Sequence, residues 1–195
     1  MKIGIYIYEQ AEVLDFSGPF EVFAKANMLT DEYHFEPLLI SEAGGLVYAR
    51  AGYQVMSSHS IDNHPALDVL IVVGGVHTEE MHNQPVLDWL SLQDEKVPVV
   101  ASVCTGAFIL AAAKVLTSES VTTHWEDIPD LRQQFPSLTV IENRRWVESG
   151  KFTTSAGISA GIDMSLRLVE RLASHELAIK TARQMEFDIH PVERT

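Results

Sequence analysis

The sequence contains a single cysteine, Cys104, so a disulfide within the chain is excluded. It also has no apolar run near the roughly 20 residues that a membrane-spanning helix requires. Met1 leads directly into a strand-like pattern, without the apolar core of a signal peptide. A chain that uses no disulfides is typical of a reducing compartment. We therefore expect a cytoplasmic protein with no membrane partner.

Basic residues are scarce as well. The chain has 14 Lys and Arg against 27 Asp and Glu, which gives a formal net charge of -13. The basic residues are scattered, and only Arg144 and Arg145 are adjacent. Because such a surface repels phosphate backbones, we expect no direct contact with nucleic acid.

Cofactor-binding motifs are missing too. No GxGxxG follows a strand and no GxxxxGK[ST] is present, which disfavours a nucleotide site. Neither HExxH nor paired cysteines occur, which disfavours a zinc site. The sequence therefore predicts chemistry without a metal or an organic cofactor.

The residues that are present predict one α/β domain over 1–195. The hydrophobic fraction of 46% is ordinary for a globular chain. Strand patterns alternate with helical patterns, which predicts a layered α/β/α sandwich with a largely parallel sheet. The expected strands cover 2–8, 33–41, 46–48, 53–57, 67–73, the start of 97–113, 121–123, 138–141, 144–147 and 152–154. The expected helices cover 17–28, 84–93, 107–113, 125–135, 158–172 and 176–185.

Residues 97–113 read V-P-V-V-A-S-V-C-T-G-A-F-I-L-A-A-A, a buried strand that changes abruptly into a helix. Cys104 lies at the change, which is the arrangement of a nucleophile elbow. The following helix would direct its positive end at the sulfur and favour a thiolate. We hypothesise that Cys104 is a catalytic nucleophile. The alternative is a buried structural thiol, since free cysteine is often buried.

Three loops follow predicted parallel strands, at 14–19, 74–77 and 104–106. In a doubly wound sheet such loops converge on one crevice. Asp15 would then lie near Cys104, share a proton with it and act as general acid or base. The alternative for Asp15 is an ordinary surface aspartate or a helix cap.

The backbone around this crevice could stabilise negative charge. N–H groups at Gly74, Gly75 and Thr105 would form an anion-binding pocket. His77 or His124 could pair with the cysteine, although a lone histidine is more often structural.

Val76 and Ile158 are further candidates for the pocket lining. In S-A-G-I-S-A-G-I-D, residues 155–163, Gly157 and Gly161 would allow close packing of helix on sheet, or approach of a partner subunit.

Together, five motifs resemble the ThiJ/PfpI superfamily in order along nearly the whole chain. They are L-D-F-S-G-P-F-E-V-F, L-I-V-V-G-G, S-V-C-T-G-A-F-I-L-A-A-A, T-T-H-W and T-S-A-G-I-S-A-G-I-D. Within it the sequence looks most like isonitrile hydratases and the sensor domains of AraC-type regulators. The resemblance implies a class I glutamine-amidotransferase-like, flavodoxin-like fold and a homodimer. It also implies an elbow cysteine at Cys104, an interacting acid at Asp15 and backbone donors at Gly75 and Thr105.

Two differences from other members of the superfamily limit the expected function. Peptidase-like members have histidine after the cysteine, where this chain has Thr105, and this argues against a protease. AraC-type regulators carry a long DNA-binding region, whereas little sequence follows the helix at 158–172, so we expect a stand-alone domain. The leading hypothesis is hydration of a small isonitrile to an N-substituted formamide. The alternatives are glyoxalase or deglycase chemistry on reactive carbonyls, and a redox or ligand sensor without turnover that uses the same cysteine.

Overall fold

The computed structural model describes residues 1–189 of the chain. Its elements, in chain order, are β1 (Lys2–Tyr6), α1 (Val13–Met28), β2 (Glu36–Ser41), β3 (Gly45–Tyr48), β4 (Gln54–Ser57), β5 (His59–Ser60), β6 (Val69–Val72), α2 (Gln84–Asp94), β7 (Val99–Val103), α3 (Gly106–Ala112), β8 (Ser120–Val121), α4 (Ile128–Gln134), β9 (Thr139–Val140), β10 (Trp146–Ser149), β11 (Phe152–Ser155), α5 (Ala160–Leu172) and α6 (His175–Gln184). Residues 190–195 of the expected domain lie outside the described residues.

The centre of the fold is a seven-stranded sheet in the order β10-β11-β7-β6-β1-β2-β5. Every neighbouring pair is parallel except β10 and β11, which are antiparallel. Every residue of β6 and β7 is buried, as expected for apolar, β-branched strands covered on both faces. The predicted layered fold with a largely parallel sheet is confirmed.

The helices cover both faces of the sheet. Helices α1, α5 and α6 contact one another, and α2 contacts α3. In the sheet, β2 lies on one side of β1, whereas β6 and β7 lie on the other. The crossovers from β1 to β2 and from β6 to β7 therefore run in opposite directions. Because both are right-handed, they place α1 and α2 on opposite faces of the sheet. Such a reversal opens a crevice at the carboxyl ends of the strands. No helix within residues 1–189 is long and apolar enough to cross a membrane.

Helix α1 differs from its prediction in a way that matters for the site. It begins at Val13, whereas the sequence pattern predicted a loop to Phe16 and a helix from Ser17. A helix that began at Ser17 would have Pro19 in its first turn, where proline is favoured, but Pro19 lies in the helix interior. Asp15 is therefore in the first helical turn and not in a loop, so its direction is set by the helix.

Most other differences are at element ends. Strand β2 begins at Glu36 instead of residue 33, and the predicted helix at 158–172 begins at Ala160. The strands expected at 46–48 and 53–57 are found as the antiparallel pair β3–β4. The predicted helix at 125–135 is divided into a 3₁₀ turn and α4. Strand β5 was not predicted, because two residues carry no periodic signal.

Candidate active site

Cys104 follows β7 directly and adopts a left-handed backbone conformation, with φ 56°. This conformation is unusual for a residue with a side chain and stores local strain. The sharp turn also depends on Gly106, because a Cβ there would lie 2.1 Å from the Val72 carbonyl oxygen. The chain can thus pass from β7 into α3 close against β6 only with glycine at this position. The predicted strand-turn-helix around the cysteine is present.

Neighbouring loops fix the strained turn. The Cys104 N–H lies 3.2 Å from the Ser155 carbonyl oxygen and 3.4 Å from that of Ala156. The Thr123 hydroxyl donates to the Cys104 carbonyl oxygen at 2.8 Å. Thr123 belongs to the T-T-H-W motif, but its role was not predicted, because a buried threonine has no sequence signature for the carbonyl it contacts.

Asp15 lies beside the cysteine and is completely buried. Its Oδ2 accepts a hydrogen bond from the Gly74 N–H at 3.1 Å, and its Oδ1 accepts one from the Ile158 N–H at 3.1 Å. Asp15 Oδ2 and Cys104 Cβ both lie against Gly74, and each of the two side chains changes the pKa of the other. The fold thus brings the predicted acid and thiol side by side.

The two reactive groups have unusual proton affinities. Burial raises the pKa of Asp15 to about 7, against the opposing effect of its two backbone donors. Burial, reinforced by the Asp15 charge, also raises the pKa of the Cys104 thiol. The Thr105 N–H near the sulfur lowers that pKa, but by less. The expected helix-stabilised thiolate is therefore not found, since burial outweighs the effect of the short α3. The pair instead shares a proton above neutral pH.

The N–H groups of the diglycine loop are engaged inside the protein. Gly74 donates to Asp15, and Gly75 donates to the Thr105 hydroxyl at 3.0 Å. That hydroxyl in turn donates to the Gly75 carbonyl oxygen at 3.1 Å. A substrate would reach the Gly75 N–H only by displacing the Thr105 hydroxyl. The Thr105 N–H, close to the sulfur, needs no such exchange.

Neither predicted histidine pairs with the thiol within residues 1–189. The His77 ring lies near the Gly75 backbone and 4.5 Å from the Phe108 ring, centroid to centroid. Burial lowers the pKa of His77, so its imidazole is neutral at pH 7. His124 Nδ1 lies 3.4 Å from the Asp127 carboxylate. Both rings line the site, and Asp15 is the partner of Cys104.

A cavity of about 450 Å³ opens onto the sulfur. Its lining includes all the predicted candidates except the buried Asp15 and Gly74: Gly75, Val76, His77, Cys104, Thr105, His124 and Ile158. It also includes Glu12, Arg50, Glu126 and Asp127, which were not predicted from the sequence. In a sequence, charged residues in loops and short turns resemble any other surface charge, so only their position around the cavity distinguishes these four. Three carboxylates against one guanidinium make the rim acidic.

Metal binding finds no support in the described part of the chain. No group of three or more His, Cys, Asp or Glu side chains in residues 1–189 could hold a metal ion. His124 Nδ1 lies 3.4 Å from the Asp127 carboxylate and 3.9 Å from that of Glu126.

Comparison with known proteins identifies relatives over most of the chain. The model of the DJ-1/PfpI family matches residues 1–171. An isonitrile hydratase of Pseudomonas putida is 30% identical over 189 residues, which are 96% of this chain and 78% of that protein. A ThiJ/PfpI family protein from Pseudomonas syringae has a solved structure with a TM-score of 0.86 and 24% identity, covering 98% of this chain and 76% of that one. The latter similarity describes the fold alone.

Transcriptional regulators are also among the relatives. The HTH-type transcriptional regulator GbdR of Pseudomonas aeruginosa is 28% identical over 187 residues, or 96% of this chain. The chain spans about half of that regulator's length, 51%. Proteins of this family thus include both an enzyme and regulators that contain a matching region.

Proposed function

Because this chain belongs to the DJ-1/PfpI family, we propose that it is a cysteine-dependent enzyme that hydrates a small isonitrile to an N-substituted formamide. The observation that carries the proposal is that the buried Asp15 carboxyl group lies beside Cys104, which lines a cavity. The relative named isonitrile hydratase supports the choice of substrate class.

Asp15 can act as the base that the buried thiol requires. The thiol of Cys104 has a raised pKa, so it is protonated at neutral pH and a weak nucleophile. Attack therefore requires a base in contact with it. The pKa of Asp15 is about 7, which suits a group that accepts and returns a proton near neutral pH.

In the proposed reaction, the Cys104 sulfur bonds to the terminal carbon of the isonitrile. The thiol proton passes through Asp15 to that same carbon, and the product of this step is a thioimidate. Water then adds across the carbon–nitrogen double bond. Breakage of the carbon–sulfur bond releases the formamide and returns the thiol. The N–H of Thr105, and that of Gly75 after exchange, would stabilise charge on the intermediates.

The acidic rim bears on the substrate. Glu12, Glu126 and Asp127 surround the entrance with Arg50 as the cation among them. An isonitrile group is uncharged, so a neutral or cationic substrate avoids the repulsion that an anion would meet there.

The test is a turnover assay with cyclohexyl isonitrile, with formamide measured by chromatography. We expect formamide from the wild type, none above background from Cys104→Ala, and a rate lowered about 10²–10⁴-fold in Asp15→Asn. Asp62→Asn, which changes an exposed aspartate, is the matched control and should leave the rate unchanged. No formamide from a wild-type protein whose Cys104 is still alkylated would refute hydration. Incubation with a small dicarbonyl would then test the glyoxalase alternative.

A ligand sensor is the second candidate, because 96% of this chain matches a region of the transcriptional regulator GbdR. In that case a small molecule would occupy the same cavity without being turned over. Saturable binding that raises the melting temperature, with no product formed, would favour it. Redox sensing by Cys104 is less compatible with the site, since oxidation favours exposed thiols with a low pKa, and this thiol is buried with a raised one.

A further inference from the structure

The loop at residues 156–159 contacts both members of the Cys104–Asp15 pair. The Ala156 carbonyl oxygen lies 3.4 Å from the Cys104 N–H. Two residues later, the Ile158 N–H donates to Asp15 Oδ1. Ile158 holds its N–H there in a left-handed conformation, with φ 57°, which costs energy for a β-branched residue. Something outside the loop must therefore stabilise this conformation.

Arg145 contacts the loop at both of its ends. Its backbone carbonyl oxygen accepts a hydrogen bond from the Ala156 N–H at 2.9 Å. Its guanidinium donates to the Ser159 hydroxyl at 3.3 Å. One residue thus connects the start of the loop to its end and spans the strained Ile158.

A buried ion pair anchors the guanidinium itself. Arg145 Nε donates to Asp163 Oδ2 at 2.7 Å, and a second guanidinium nitrogen contacts the same oxygen. The Asp163 side chain is fully buried in the first turn of α5. Because a buried carboxylate needs its cation, this pair holds Arg145 in place. One guanidinium nitrogen contacts both Asp163 and Ser159, while Nε gives Asp163 a second hydrogen bond that the single nitrogen of a lysine cannot supply.

We propose that Arg145 is a positioning residue, which acts through the loop at 156–159 to hold the Ile158 N–H on Asp15. The inference rests on the Cys104–Asp15 pair of the proposed function, and it is independent of which substrate that pair acts on. Arg145 itself lies away from the thiol, in a neighbouring cavity with Trp125 and Arg144.

A physical consequence separates this role from simple stabilisation. The N–H of Ile158 favours the ionised form of Asp15, so its loss would raise the pKa of Asp15. The other titratable groups near Asp15 are Cys104, Glu12 and Tyr8, none of which contacts Arg145 in the described residues. A change in the protonation of Asp15 on substitution of Arg145 would therefore come through the loop.

The test uses Arg145→Lys, which keeps a cation for Asp163. Because the variant loses one hydrogen bond that holds the loop, hydrogen–deuterium exchange of the peptide at 156–160 should be about tenfold faster than in the wild type. In the wild type, the rate at which uncharged iodoacetamide alkylates Cys104 should fall as the pH is lowered, with a midpoint near pH 7. In the variant that midpoint should move up by about half to one pH unit.

Arg167→Lys is the matched control. Arg167 also joins α5 to β10, through Glu148 at 3.1 Å, but it does not contact the loop. It should leave both readouts unchanged. Ser159→Ala is a second variant, which removes the contact of an exposed side chain with the guanidinium and leaves the buried ion pair intact. It should shift both readouts in the same direction by less.

An unchanged alkylation midpoint in Arg145→Lys and Ser159→Ala would overturn the proposal, even if loop exchange were faster. Neither readout requires isonitrile turnover, so a failed hydratase assay and a failed positioning role are distinguishable.

Discussion

At the scale of single residues, Asp15 makes the stability of the protein depend on pH. Its carboxyl pKa is about 7 in the folded protein and 3.8 in its ordinary state. Between these values the folded protein holds a proton that the unfolded chain has released. Rising pH therefore favours unfolding across this window, while below it the group contributes no difference.

We expect this group to lower the free energy of unfolding by about 2–3 kcal/mol between about pH 5 and pH 7, since one proton corresponds to about 1.4 kcal/mol per pH unit. Asp15→Asn should lack this decline. Urea unfolding at several pH values measures it, with Asp62→Asn as the control for loss of an exposed charge. The same slope in the wild type and in Asp15→Asn would contradict the raised pKa.

At the scale of secondary-structure elements, the joint between β7 and α3 is the critical feature. The strained Cys104 is held by hydrogen bonds from outside its own element, and Thr123 provides one of them at 2.8 Å. Strain of this kind persists only where the surroundings enforce it.

We expect Thr123→Val to cost about 1–3 kcal/mol of stability, because it leaves the buried Cys104 carbonyl with one donor fewer. It should also change the alkylation rate of Cys104. Thr181→Val is the matched control: Thr181 is equally buried and donates to the Leu177 carbonyl at 2.8 Å, but in α6. We expect both variants to lose a comparable amount of stability. Only Thr123→Val should change the rate at which Cys104 is alkylated. Equal reactivity in the two variants would show that Thr123 stabilises the fold without shaping the elbow.

The elements themselves were largely predictable, and their junctions were less so. Strands β6 and β7 were recognisable because burial on both faces demands continuous apolar residues. The start of α1 was misplaced, because Pro19 is a good first-turn residue in general but occupies the helix interior in this fold. Tertiary packing of the helix on the sheet outweighed that local preference.

At the scale of the whole molecule, charge is the dominant property. The formal net charge is -13, and the rim of the cavity carries three carboxylates with one arginine. Field lines concentrate in such an opening, so the molecule repels anions from its own site.

A carboxylate-bearing isonitrile should therefore have a lower kcat/KM than its methyl ester, by roughly tenfold at low ionic strength. The difference should narrow as salt rises from about 20 mM to about 500 mM, because screening shortens the range of the charges. Glu126→Gln should reduce the discrimination, whereas Glu95→Gln, an exposed change in the connection from α2 to the amino end of β7, should not. Discrimination that is insensitive to salt would show that shape and not charge excludes the acid.

The homodimer that the resemblance implies stays a prediction, as does the cytoplasmic location. Exposed apolar side chains on the β3–β4 hairpin, among them Leu46, Tyr48 and Met56, provide an apolar surface near one end of the sheet.

The sequence by itself determined the layered α/β fold and the elbow at Cys104, and it identified Asp15 as a candidate general acid or base. Periodicity, apolar runs and glycine spacing are local signals, and they suffice for these features. Only the tertiary structure decided that Asp15 lies beside the thiol, that burial raises the pKa of both groups, and that the N–H groups of Gly74 and Gly75 are already engaged. Those properties depend on distances and on exclusion of water, and these arise when segments far apart in the chain, such as residues 15, 74, 104 and 158, come together.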